Sequence, residues 1–297
     1  MTAISLDGCF PPIATPFNEQ GTVDHEQLTR NLQQWQETPL KGFAVLGSNG
    51  EAVFLDEAEK LAVWKTAREV IDRDHLFIAG TGCESTTATL KLTEKAAQCG
   101  ADAALVVTPH YYKGKMTHSA LMNHYSTVAD QSPVPIILYN VPAFTGVDLS
   151  AETIIALSQN PNIVGLKESS GNVVKMGRVH AEAASHFQIL AGSGSFLLPA
   201  LTVGAVGGIM ALASVAPRQL DDLIRLFKDG AIEAARRIQL KLIDVNTAVT
   251  SGFGISGLKA AMEMIGMYGG PVRSPLLPLS GEQRESLKRI LTKAGLL

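Results

Sequence analysis

The sequence predicts an α/β protein, a single (β/α)8 TIM barrel with a C-terminal helical extension. Three observations predict it: eight short apolar runs, amphipathic stretches between them, and a tail that is helical throughout. The runs are residues 9–15, 42–46, 76–79, 103–108, 135–140, 163–167, 187–191 and 208–212, each bounded by Gly, Pro or Asn. They are apolar almost without alternation, the pattern of parallel strands covered on both faces. Between them, segments such as 56–71, 87–99 and 151–159 carry apolar residues at three- and four-residue intervals, as amphipathic helices do. Eight such units close naturally into a barrel. An open doubly wound sheet is the alternative, but the first strand-to-helix turn lacks a G-x-G-x-x-G fingerprint. From Pro217 onward the helical stretches 220–227, 232–245, 258–265 and 282–293 exceed what the last unit needs. The expected division is therefore residues 1–216 for the barrel through strand eight and 217–297 for the last barrel helix plus a C-terminal helical subdomain. That subdomain is expected to pack against the barrel side.

Composition narrows the partners. The 297 residues are 46% hydrophobic and 18% charged with a net charge of -3, which suits a soluble globular protein with a large core. There is no Lys/Arg-rich block, so neither nucleic acid nor an anionic membrane surface is an expected partner. Cys9, Cys83 and Cys99 are odd in number and widely spaced, which fits a reducing compartment better than a disulfide framework. The opening MTAISLDGCFPP has no basic and apolar leader pattern, and no segment reaches the roughly 18 apolar residues that span a membrane. A cytoplasmic protein is expected.

A barrel carries its chemistry at the carboxyl ends of its strands. Those ends read Gly47-Ser48-Asn49-Gly50-Glu51, Gly80-Thr81-Gly82, Thr108-Pro109-His110-Tyr111-Tyr112, Tyr139-Asn140-Val141-Pro142, Lys167-Glu168-Ser169-Ser170 and Gly192-Ser193-Gly194-Ser195. Lys167 is the informative residue, because it ends the apolar run NIVGLK, where a lysine has little reason to stand except at a catalytic rim. An amine attacks a ketone only when unprotonated, and a free lysine titrates near about 10.4, so a reactive lysine has to be kept dry. The protonated imine it forms is an electron sink that lets a neighbouring carbon–carbon bond break. The competing reading is a structural ion pair between Lys167 and a nearby Glu.

Imine chemistry also needs a proton shuttle, and Tyr139 ends the adjacent strand. A rim tyrosine satisfied locally is its alternative. Tyr111, Tyr112 and Ser48 are further hydroxyls on the same face. The Gly-Ser-Asn-Gly turn could hold a small carboxylate on its backbone N–H groups, and the Gly192 to Ser195 turn could bind a phosphate, though such turns are often plain connections. The seven histidines lie mostly on predicted helices and show no metal-ligand spacing, so no metal and no other cofactor is expected. Glu51 and Glu84 read as capping or loop residues.

Taken together, the G-x-x-G-E element at Gly47 to Glu51, the Y-N-V-P at Tyr139 to Pro142 and the GLKESSG strand resemble the dihydrodipicolinate synthase and N-acetylneuraminate lyase superfamily, over nearly the whole chain. The resemblance implies Lys167 as the imine lysine, Tyr139 as proton donor with Ser48 and Tyr111 as its relay, and pyruvate carboxylate bound at Ser48 and Asn49. It also implies Ile209 on strand eight in the site, and a homotetramer. Stretches such as GSNGE, VVTP-x-YY-x-G and the late FGI-x-GLK followed by YGGP most resemble 4-hydroxy-2-oxoglutarate aldolase, which forms pyruvate and glyoxylate, and this likeness adds Ser169 beside Gly192 and Ser193. The expected substrates are thus pyruvate with an aldehyde, or a 4-hydroxy-2-oxo acid. Where the synthase carries an arginine after V-P to hold aspartate semialdehyde, this chain has Phe144, which weakens the synthase reading without removing it. A 2-keto-3-deoxy sugar-acid aldolase is the other alternative.

Overall fold

The computed structural model describes residues 4–297; Met1 to Ala3, within the stretch read as lacking a leader, lie outside the described residues. Eight parallel strands form one sheet in the order β1-β8-β7-β6-β5-β4-β3-β2. They are β1 (Gly8–Phe10), β2 (Gly42–Val45), β3 (Leu76–Gly80), β4 (Ala103–Val107), β5 (Ile136–Asn140), β6 (Ile163–Glu168), β7 (Gln188–Ala191) and β8 (Gly207–Ile209). The sheet closes between β1 and β2 through the Ala44 N–H to the Pro11 carbonyl at 2.9 Å and the Ile13 N–H to the Ala44 carbonyl at 3.0 Å. A TIM barrel results.

Each expected strand is present; β3 and β6 run one residue further than expected, and the first and the last stop well short. The first runs only Gly8–Phe10 instead of reaching residue 15, because Pro11 and Pro12 have no N–H to give a ladder. The eighth stops at Ile209, where the chain turns into the short helix Ala211–Ser214.

The helices are α1 (His25–Gln36), α2 (Glu57–Val70), α3 (Thr86–Gln98), α4 (His118–Gln131), α5 (Pro142–Thr145), α6 (Ala151–Leu157), α7 (Val173–Glu182), α8 (Leu197–Thr202), α9 (Pro217–Lys228), α10 (Ile232–Thr247), α11 (Gly254–Met264) and α12 (Gly281–Lys293). Their starts follow sequence chemistry. Asp56 accepts from the Glu59 N–H while Glu59 accepts from the Asp56 N–H, a reciprocal cap on α2, and Ser280 with Gln283 repeats it on α12. Among the described residues no helix is long and apolar enough to cross a membrane.

Two packed layers follow from the two-residue period of the strands. Phe10, Ala44, Ile78, Leu105, Ile137, Leu190 and Ile209 fill the barrel interior. Their chain neighbours Val45, Phe77, Val106, Leu138 and Ile189 point outward into the layer shared with the helices, as does Leu166 beside Lys167. Parity therefore decides what a residue at a strand end can reach.

Candidate active site

Tyr139 has the inward parity of Ile137, and β5 and β6 pair with Tyr139 opposite Lys167 and Asn140 opposite Glu168. Register alone thus brings Tyr139 and Lys167 side by side. Lys167 is only 2% exposed, and its Nζ stands 4.0 Å from the centroid of the Tyr139 ring. Among the described residues no carboxylate lies within ion-pair distance of that nitrogen. The neighbouring Glu168 has the opposite parity and pairs with Lys175 at 3.0 Å instead. The competing reading of Lys167 as a structural ion pair is removed by this geometry.

The Tyr139 hydroxyl lies 3.3 Å from Ser48 Oγ, so a proton can pass between them in either direction. Ser48 sits in the one-turn helix Ser48–Gly50, which is bracketed by Leu46 with φ 65° and Glu51 with φ 54°. These are the non-glycine residues with positive φ among the described residues, and both flank this turn. A left-handed backbone at such residues costs of order 1–3 kcal/mol each and persists only where surrounding contacts impose it.

Glu51 does stand at the cap between this turn and the next, as read, but its side chain is held by contacts from elsewhere. Glu51 is 1% exposed; its Oε1 pairs with Lys259 Nζ at 2.6 Å and its Oε2 accepts from the Arg273 N–H at 2.8 Å. A buried acid needs partners, and these come from the far end of the chain. Glu84 does behave as a loop residue, accepting from the N–H groups of His110 and Tyr111 at 2.9 and 2.8 Å.

A cavity of about 410 Å³ opens at this end of the barrel, lined by Ser48, Asn49, Tyr139, Lys167, Ser169, Gly192 and Ser193. Of the residues expected at the site, Tyr111 and Ile209 do not line it. Tyr111 is 76% exposed and stacks edge-on against Tyr112, 5.0 Å between ring centroids, because Glu84 holds the loop after β4 turned outward. Within one chain it does not meet Tyr139 or Ser48. Ile209 is fully buried in the packed barrel interior. The Ser169 hydroxyl is buried at the cavity with no protein hydrogen-bond partner, an unusual state that a ligand can relieve.

Sequence reasoning missed the far wall, which is formed by Asn246, Thr247, Val249, Thr250, Ser251 and Ile255. The helical tail is therefore more than a flank to the barrel side. Asn246 accepts from the Gly194 N–H and donates to Ser193 Oγ, both at 3.0 Å, while Gln239 accepts from the Leu198 N–H and donates to the Gly194 carbonyl. These buried amides seat α10 on the β7 turn. The chain then widens into the π-helical turn Ala248–Gly252, a form enriched at functional sites. The available signal was Gly252 and Gly254 interrupting an otherwise helical stretch. Lys167 is the one cation among the described lining residues; the remaining polar atoms there are hydroxyls, amides and backbone groups. Among the described residues no three of His, Cys, Asp and Glu converge where a metal ion could sit.

The model of the dihydrodipicolinate synthetase family matches residues 5–294. The chain belongs to this family. It is 37% identical over 288 residues to the 4-hydroxy-tetrahydrodipicolinate synthase of Methanothrix thermoacetophila, covering 96% of each chain. It is also 34% identical over 294 residues to the probable mitochondrial 4-hydroxy-2-oxoglutarate aldolase of Emericella nidulans, covering 97% of this chain and 95% of that one. Among solved structures, the chloride-inhibited dihydrodipicolinate synthase of Acinetobacter baumannii complexed with pyruvate is 31% identical, with a TM-score of 0.93 and coverage of 99% and 100%. As a family member the chain is a carbon–carbon lyase of the pyruvate-dependent, class I aldolase kind.

Proposed function

We propose that Lys167 forms a Schiff base with pyruvate and that Tyr139, with Ser48, moves the protons. The observation that carries this reading is a buried lysine amine with no acid beside it, held against a tyrosine at the mouth of a cavity. The amine adds to the ketone carbon, and the carbinolamine oxygen takes a proton and leaves as water, giving the iminium. Loss of a methyl proton then yields an enamine whose carbon attacks an aldehyde. Cleavage is the same sequence reversed, and hydrolysis returns the free lysine. Ser48, Asn49 and the exposed N–H groups of their turn bind the carboxylate, and Ser169 and Ser193 line the partner end.

For the partner, the relatives favour aspartate semialdehyde over the 4-hydroxy-2-oxoglutarate cleavage expected from the sequence, since synthases predominate among those at 32–37% identity. One observation favours cleavage of a hydroxylated 4-hydroxy-2-oxo acid instead, a sugar acid included. The lining offers no second cation for a distal carboxylate, while Ser195, Asn246, Thr250 and Ser251 suit hydroxyl groups.

Borohydride added with pyruvate is expected to fix a covalent adduct on Lys167 and none on Lys167→Ala; an adduct on another lysine refutes the assignment. Turnover of pyruvate with aspartate semialdehyde, against pyruvate release from a panel of 4-hydroxy-2-oxo acids, separates the two partners. A homotetramer in the cytoplasm completes the reading, and light scattering checks the assembly.

A further inference from the structure

Behind the cavity, on the outward face of the same strand ends, lies a buried polar cluster that the imine chemistry does not use. Asn140 follows Tyr139 and Glu168 follows Lys167, and both side chains are fully buried. Asn140 Nδ2 donates to both Glu168 oxygens at 3.0 Å and to Asp148 Oδ1 at 2.7 Å, while its Oδ1 accepts from the Leu149 N–H at 2.9 Å. Lys175, on α7, places Nζ 3.0 Å from Glu168 Oε2, 2.6 Å from Asp148 Oδ1 and 3.2 Å from the Leu149 carbonyl. The Ser170 N–H closes the set on Glu168 Oε1 at 2.6 Å.

Glu168 is thus gripped by the strand before it, by the loop after it and by the next helix, and every group that touches its carboxylate is a donor. Hydrophobic residues of the same volume would stabilise a strand end at least as well as such a cluster. What ionic contacts add is direction. The contacts on Asn140 and Glu168 fix the residues immediately after Tyr139 and Lys167, and adjacent residues on a strand face opposite ways, so fixing the outward side chain sets the angle of the inward one. The cluster also occupies the one carboxylate next to Lys167 in the chain.

We propose that Lys175 and Glu168, with Asn140 and Asp148, are positioning residues that clamp β5 to β6 so that Lys167 Nζ and the Tyr139 ring keep their mutual geometry. The clamp rests on the reading of Lys167 as the imine lysine. It acts on the attack step and not on the carboxylate cradle, because Ser48 and Asn49 belong to the turn after β2.

The test is the rate of borohydride trapping with pyruvate per folded molecule, alongside KM for pyruvate and kcat. A misplacement of about 1 Å at a reacting group costs about 100-fold in rate, so Lys175→Met is expected to trap about 100-fold more slowly. Its KM for pyruvate should stay within about threefold, as for loss of an interaction that matters only in the transition state. Glu168→Gln, which turns an amide against surrounding donors, should match it. Asp148→Asn lies at the half-exposed edge and keeps the fold if the buried variants fail; it is expected to slow trapping about tenfold with an unchanged melting temperature. Wild-type trapping rates in Lys175→Met, or in Asp148→Asn where the former does not fold, overturn the clamp. A loss confined to melting temperature or to KM also overturns it. Absence of trapping in the wild type would instead overturn the imine reading itself.

Discussion

Replacing Lys259 by Met tests how the substrate turn is held. Lys259 Nζ, on α11, pairs with Glu51 at 2.6 Å, donates to the Pro271 carbonyl at 2.7 Å and lies 4.4 Å from the centroid of the Phe17 ring. Both charged residues are 1% exposed, so removing the cation leaves a buried carboxylate with the Arg273 N–H as its remaining donor. Breaking such a pair costs about 3–5 kcal/mol. An unfolding entropy of about 2.1 cal/mol/K per residue over 297 residues gives roughly 0.6 kcal/mol per degree, hence a fall in Tm of about 5–8 °C. The double variant Lys259→Met with Glu51→Gln removes the stranded charge and should recover about half of that loss, as coupled residues do. Burial pushes Lys259 below its ordinary value, with Glu51 pulling the other way. In the window below 10.5 the unfolded chain then binds more protons, so the contribution of Lys259 to stability grows as pH rises through that window, and Lys259→Met flattens the alkaline limb. Because Glu51 adjoins the Ser48–Gly50 turn, KM for pyruvate should rise as well. Calorimetry and urea unfolding across pH measure the stability effects, and initial rates against pyruvate concentration measure KM. A Tm within about 1 °C of wild type, or single substitutions whose effects simply add, would refute the reasoning.

Burial lowers His124 from 6.5 to about 4, with Thr86 Oγ1 at 2.9 Å as the contact of its Nδ1 and no partner for Nε2. Stability from this neutral ring is fully present above pH 6.5 and is lost as pH falls toward 4, up to about 3 kcal/mol; His124→Gln should flatten urea midpoints between those limits, and an unchanged slope speaks against it. A Cβ on Gly192 would collide with Ser169 Oγ and come within 2.7 Å of the Glu168 carbonyl. Gly192→Ala is therefore expected to lower kcat/KM by about 100-fold through displacement of the Lys167 strand end, and wild-type kinetics would contradict the crowding. Burial raises the Cys9 thiol to about 12, so iodoacetamide should modify Cys83 and Cys99 in the native protein and reach Cys9 only on unfolding; equal labelling rates would place Cys9 elsewhere.

Much of the barrel could be read from the chain because each parallel strand is a locally concentrated apolar run. The ends erred where local chemistry intervened, as at Pro11 and Pro12. Lys167 stood out for being polar in such a run, and Tyr139 for ending the neighbouring one. The outward Tyr111 did not, because nothing local says which way a polar loop turns; its direction comes from Glu84, a residue of another loop.

By itself the sequence determined the strand count, the family motifs and the residue types able to make an imine, since these depend on local pattern and intrinsic reactivity. Only the tertiary structure decided that Glu168 pairs with Lys175 and leaves Lys167 without an acid. It also decided that Glu51 is held by Lys259 and that Asn246 to Ile255 wall the cavity. The physical reason is that burial and ion pairing are properties of neighbours in space. A carboxylate meets whichever cation the fold delivers, and its position in the chain does not say which one that is.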